Sequence, residues 1–211
     1  MFIQHLLGAP VALTLFIITL IVSIIALVNE NFKDKMLLIP YDTVMYKEYW
    51  RVLTSGFVHG NIHHLLMNMI TFFFFSFMLE HKIGHWQFGT LYFASLLISN
   101  GMVMLRYHKD SAYEGTLGAS GAISGVVLAT VLVAPYLKVG LPVISEMFPI
   151  LTLPAMIVAF GYLLFSLVFT IVPNKMKVNH DAHFWGAFAG VILAFCLKPG
   201  LMMILERYFL A

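Results

Sequence analysis

The chain has 211 residues, of which 61% are hydrophobic and only 10% are Asp, Glu, Lys or Arg, and its mean hydropathy is +0.91. A soluble domain carries about 25% charged residues, so this chain lacks the polar surface that a soluble globule of its size requires. The formal charge of +2 comes from scattered side chains, which excludes the basic clusters that bind nucleic acid or anionic lipid patches.

Uncharged apolar stretches occur at 10–28, 52–79, 83–105, 115–137, 147–174 and 182–197. About 20 helical residues cross a bilayer core of roughly 30 Å. The stretches show no period-2 alternation, so they read as helices and not as barrel strands. The predicted spans are 10–28, 62–79, 86–105, 117–137, 150–172 and 182–197, an all-α polytopic bundle of six transmembrane helices forming a single membrane domain over 1–211. The first span exceeds a signal-peptide core, has no Lys or Arg before it and no small-residue cleavage pattern over Ala26–Glu30, and is expected to be retained. The connection 29–61 is the only long one. It carries Glu30, Asp34, Asp42 and Glu48 together with Tyr46, Tyr49 and Trp50, a composition suited to the headgroup level. Phe72–Phe75 reads as lipid-facing or core packing. The later connections are short, so consecutive helices are expected to be antiparallel neighbours. The tail 199–211 starts with Pro199-Gly200 and reads as an interfacial helix. The single cysteine, Cys196, excludes an intramolecular disulfide.

The basic residues bear on topology. With the N-terminus inside, the cytoplasmic loops would hold Lys82, Lys138, Lys198 and Arg207. The opposite face would hold Lys33, Lys35, Lys47, Arg51, Arg106, Lys109, Lys175 and Lys177. The positive-inside rule therefore favours an outside N-terminus.

Polar side chains within apolar spans are costly and mark functional candidates. Here they gather at helix starts: His63-His64 and Asn68 in the second span, Gly118-Ala119-Ser120-Gly121 in the fourth, Ala182-His183 in the sixth. Even-numbered spans all cross in one direction, so His64, Asn68, Ser120 and His183 share one leaflet by parity. A serine hydroxyl needs an adjacent base to act as a nucleophile, and a neutral histidine supplies one. His64 and Asn68, four apart, lie on one helix face and both can donate hydrogen bonds to an oxyanion. The helix start at Ser120 adds free backbone N–H groups and a favourable dipole. Gly115, Gly118, Gly121 and Gly125 clear side chains around Ser120, while Gly186 and Gly190 form a small-xxx-small face in register with His183.

Gly118-Ala119-Ser120-Gly121 followed by Ala182-His183, Gly186 and Gly190 resembles the rhomboid family of intramembrane serine proteases. The match extends to His64-x-x-x-Asn68 and to Trp50-Arg51, and covers roughly residues 40–197. The resemblance implies a six-helix bundle with a membrane-embedded first loop, and Ser120 as nucleophile with His183 as general base in a water-filled cavity. His64, Asn68 and the Ser120 backbone N–H would assist the oxyanion, with Gly118 a further candidate. Trp50, Arg51, Gly121, Gly186 and Gly190 would be structural. It further implies membrane-protein substrates cut in or near a transmembrane segment, lateral access near the fifth helix and the 173–182 loop, no metal or other cofactor, and no nucleic-acid partner. Both termini would face the cytoplasm of a bacterial membrane, against the loop charge count. One position departs from the pattern: an aromatic residue often stands four after the nucleophile, under the catalytic histidine, and here that residue is Ser124.

Several residues carry plainer expectations. Ser124 is expected to bond its own i−4 carbonyl, and His5, His81, His85 and His108 to be interfacial. Asp181 is not expected to complete a triad, because residues two apart on a helix do not share a face. Two rival readings remain. His59, His63, His64, His180 and His183 could ligate a metal or haem, although no HExxH is present and no acidic residue lies within a predicted span. A non-catalytic rhomboid relative that binds membrane clients would normally lack the serine or the histidine.

Overall fold

Lipid offers the backbone no hydrogen-bond partners, and the chain meets that constraint with helices. A computed structural model describes residues 2–139, 153–171 and 179–210. In chain order the helices are α1 (Phe2–Leu7), α2 (Pro10–Val28), α3 (Glu30–Met36), α4 (Pro40–Met45), α5 (Arg51–Thr54), α6 (Ile62–Ile83), α7 (His85–Tyr107), α8 (Ser120–Val133), α9 (Ala155–Ile171), α10 (His180–Leu197) and α11 (Leu201–Leu210). A 3-10 turn, Ser55–Phe57, follows α5. Two short strands, β1 (Lys138–Val139) and β2 (Leu153–Pro154), pair antiparallel with Lys138 opposite Pro154.

The first span has its predicted bounds. Helices α6 and α7 run past the predicted 79 and 105, and α10 starts two residues early at His180. Residues 150–152 and 172 of the predicted fifth span lie outside the described residues. Among the described residues, four helices, α2, α6, α7 and α10, are long and apolar enough to cross a membrane, whereas α8 has 14 residues and α9 has 17. The expected fourth span, 117–137, is therefore corrected to a shorter helix. Gly115 and Gly118 at φ +102° and +110° turn the chain immediately before it, and Pro135 follows its last turn.

Helix α8 sits at the centre, with all but Ser120 and Val127 of its residues buried, which is why its sequence shows no polar face. It packs most extensively against α10, and also against α6, α7 and α9. The contact with α10 is backbone on backbone. A Cβ at Gly186 would lie 2.0 Å from the Gly121 carbonyl oxygen, and one at Gly190 would lie 2.2 Å from that of Gly125. The two glycine pairs have the same four-residue spacing and run in the same order, so the helices are parallel and their register is fixed.

Glu80 corrects a further expectation. The extension of α6 to Ile83 brings this carboxylate inside the helix, fully buried. It accepts from Val11 N at 3.1 Å and Ala12 N at 2.6 Å and bonds His85 Nδ1 at 2.7 Å. The first turn of α2 has orphan N–H groups and no side-chain cap of its own, so Glu80 caps it from a neighbouring helix. Of the phenylalanine run, Phe72 is fully buried against Tyr92 and Phe74 is exposed.

The long connection 29–61 folds into α3–α5 and is tied down. The buried Arg51 guanidinium donates to Asp34 O at 2.5 Å and Leu37 O at 2.8 Å, with Glu48 Oε2 at 2.6 Å from its Nε. Trp50, by contrast, is 54% exposed, so only the arginine of that pair acts as an internal fastener. Leu38 and Thr116 form a reciprocal backbone bridge, which joins this segment to the approach to α8.

Alanine at Gly186 should separate α8 from α10. Its unfolding midpoint in detergent is expected to drop by the equivalent of about 1–3 kcal/mol, the usual cost of overpacking. Gly161→Ala, where a Cβ meets nothing within 4 Å, should leave the midpoint within error.

Candidate active site

The register of α8 on α10 brings the first residue of one beside the first turn of the other. Ser120 Oγ lies 2.7 Å from His183 Nε2. Both residues are half-buried. The other ring nitrogen, His183 Nδ1, is 2.6 Å from the Tyr162 hydroxyl on α9. Sequence reading did not single out Tyr162, because a tyrosine within an apolar span has no spacing signature that ties it to a histidine 21 residues on.

Helix α10 is held at its start. Asn179 caps it, accepting from Ala182 N at 3.1 Å, and donates to the Tyr113 hydroxyl at 3.0 Å. Asp181 accepts from Arg106 Nη1 at 2.5 Å and from the Tyr107 hydroxyl at 2.7 Å. Its carboxylate is therefore bound to the end of α7 and not to His183, in keeping with the different helix face expected for it. Ser124 donates to Ser120 O at 2.8 Å, the local bond expected of it.

The start of α8 is held by the first loop. Gly118 N donates to Ser55 O at 2.9 Å. This corrects the expectation that Gly118 could donate to an oxyanion, since its one N–H is already committed. Its contribution is room: a Cβ there would lie 2.7 Å from His64 Cε1. The first α-helical bond of α8 runs from Ile123 N to Ala119 O, so the N–H groups of Ser120, Gly121 and Ala122 have no preceding turn to bond. His64 lies within electrostatic reach of His183. Asn68, one turn below it, donates one amide hydrogen to His64 O at 3.1 Å, and among the described residues its second amide hydrogen has no acceptor.

His59 is the other residue whose place the sequence did not reveal. It is fully buried, with its ring 4.9 Å from that of His64. Ala119 N donates to its Nε2 over a long 3.4 Å, so Nδ1 carries the hydrogen and donates to Ser23 Oγ at 2.8 Å, which in turn donates to Phe57 O at 2.8 Å. One tautomer satisfies the whole chain of bonds. The metal or haem reading needs these nitrogens free, and those of His59 and His183 all face protein partners. Among the described residues, no three His, Cys, Asp or Glu side chains converge as a metal site.

Burial, reinforced by the neighbouring His64, pushes His59 from its ordinary 6.5 down to about 3. Between those values the unfolded chain binds a proton that the folded one does not, so stability rises with pH across this window and is lost as pH falls through it. His59→Gln should be less stable than the wild type at pH 7. The gap between their detergent unfolding midpoints should narrow as the pH drops toward 4.

Comparison with known proteins adds to this geometry. A family model described as the Rhomboid domain matches residues 46–200. Over 80 residues the chain is 35% identical to RHOMBOID-like protein 4 of Arabidopsis thaliana, covering 38% of this chain and 19% of that protein. It is 29% identical over 156 residues to RHOMBOID-like protein 5 of the same plant, covering 71% and 44%. It is 30% identical over 148 residues to the putative rhomboid protease YdcA of Bacillus subtilis (strain 168), covering 70% and 67%. The chain thus spans less than half the length of the two plant relatives and about two thirds of the bacterial one.

Proposed function

The chain belongs to the rhomboid family, and from that premise we propose that this integral membrane protein is a serine endopeptidase that cuts other membrane proteins in or near their transmembrane segments. The observation that carries the reading is the 2.7 Å separation of Ser120 Oγ and His183 Nε2. At that distance His183 takes the hydroxyl proton as Ser120 attacks a peptide carbonyl. The tetrahedral oxyanion is met by the Ser120 N–H, by His64 and by the second amide hydrogen of Asn68. The imidazolium then gives its proton to the leaving amine. Water, activated by the same imidazole, hydrolyses the acyl-enzyme. No step calls for a metal or another cofactor.

The remaining architecture supports hydrolysis inside a bilayer. Helix α8, about 21 Å long at 1.5 Å per residue, is shorter than a core of roughly 30 Å. If its far end meets one interface, Ser120 lies recessed below the other. In this reading six helices span, the first loop is embedded at the outer leaflet, and both termini face the cytoplasm of a bacterial membrane. An embedded loop fastened through Arg51 is not an ordinary translocated loop, which removes most of the force of the charge count. Helix α11 lies along the interface. The substrate segment approaches beside α9 and the 173–182 loop, of which residues 173–178 lie outside the described residues.

A fluorophosphonate probe should label the purified protein, and Ser120→Ala should abolish both labelling and cleavage of a model transmembrane substrate. Cleavage retained in that variant would end the proposal. His183→Ala should be nearly as inactive. Asn68→Ala should lose an order of magnitude or more in kcat, on the scale of about 2.7–4 kcal/mol for a full oxyanion donor. Unchanged kcat would remove Asn68 from the site.

A further inference from the structure

For His183 to accept a proton at Nε2, the neutral ring must carry its hydrogen on Nδ1. An Nδ1–H needs an acceptor, and a carboxylate commonly provides it in serine hydrolases. Here the nearest candidate in sequence, Asp181, is spent on Arg106 and Tyr107. The group that faces Nδ1 is the hydroxyl of Tyr162, at 2.6 Å. Resting on the serine-protease reading, we infer that Tyr162 is a positioning residue, whose hydroxyl accepts from His183 Nδ1–H and so holds the tautomer that leaves Nε2 open to Ser120.

The contact is made by the hydroxyl and not by the ring face. The two ring centroids are 6.0 Å apart with the planes tilted by 39°, so the rings do not stack. An accepting phenol must send its own hydrogen elsewhere. The Ser124 and Ser166 hydroxyls neighbour that of Tyr162, and Ser166 Oγ is buried with no hydrogen bond of its own, an acceptor that a small rotation of the phenol hydrogen would serve. Ser124 stands where the family resemblance puts an aromatic residue, and its small side chain leaves the base to be held from α9. A phenol is neutral, so it orients the imidazole without burying a charge among membrane helices. When Nε2 takes the serine proton, the ring carries a hydrogen on each nitrogen and a positive charge, which the phenolic oxygen stabilises. Tyr162 gives up and gains no proton. The other titratable groups facing His183 are His64 on α6 and His180 on α10, the latter at 6.3 Å between ring centroids.

Tyr162→Phe keeps the ring and removes the acceptor. In the full chain, kcat and the rate of fluorophosphonate labelling should fall together, roughly tenfold or more, with KM little changed. The acidic limb of kcat/KM should move to lower pH, because the imidazolium loses an acceptor. Independently of activity, the His183 nitrogens can be read by ¹⁵N NMR in a Ser120→Ala background. Nδ1 should be protonated with Tyr162 present, and the tautomers should mix in Tyr162→Phe. Labelling and tautomer both unchanged would overturn the inference while leaving the protease reading intact. A loss of cleavage with full labelling would also overturn it, by moving Tyr162 to substrate docking. A wild type that neither labels nor cleaves would instead overturn the protease reading, and the tautomer measurement would still decide whether Tyr162 holds the ring.

Discussion

The contact on which the site depends has no side chains in it. Gly121 and Gly125 of α8 lie against Gly186 and Gly190 of α10 so closely that a Cβ at either α10 position would meet a carbonyl oxygen at 2.0–2.2 Å. Apolar surface gains little from association inside lipid, so helices are joined there by close packing and by the few polar bonds available. Two backbones in contact can shift only by whole turns. A slip of one turn would carry Ser120 about 5–6 Å along the axis, beyond hydrogen-bond reach of His183. The polar pair is short because the glycines leave the helices one register.

A second constraint acts on the end of α8. The backbone N–H groups that lead into a helix have no preceding turn to bond and must find partners elsewhere. The first loop supplies partners: Ser55 O for Gly118 N, His59 Nε2 for Ala119 N, and the Leu38–Thr116 bridge a few residues earlier. That loop is itself anchored by Arg51 on its carbonyls and by Asn100 of α7, which donates to Val52 O at 2.8 Å and Ser55 Oγ at 3.0 Å. A segment that reads as a polar interfacial connection thus serves as the frame for the helix carrying Ser120. Glu80 answers the same need at the start of α2, with a carboxylate borrowed from α6.

The places where reading the residues stopped short share one cause. The bonds that fix the roles of His59, Tyr162 and Glu80 reach far along the chain, across 36 to 60, 21 and 68 to 69 positions respectively. Periodicity and motif spacing register neighbours on one helix, so these side chains looked like an interfacial or ligand histidine, an apolar-span tyrosine and a residue past a helix end. Gly118 shows the converse: its presence in a motif was legible, but whether it offered an N–H or only space depended on where Ser55 O lay.

Composition and patterning by themselves determined that the chain is a helical membrane protein, roughly where its long apolar helices begin, and that Ser120, His183, His64 and Asn68 fall within the first two turns of their helices. They did so because hydropathy is a property of the chain in order. The tertiary structure alone decided that α8 is short, that Asp181 turns to Arg106 while Tyr162 turns to His183, and that the first loop braces the start of α8. Those outcomes rest on distances between segments far apart in sequence, and such distances are fixed only when the helices pack.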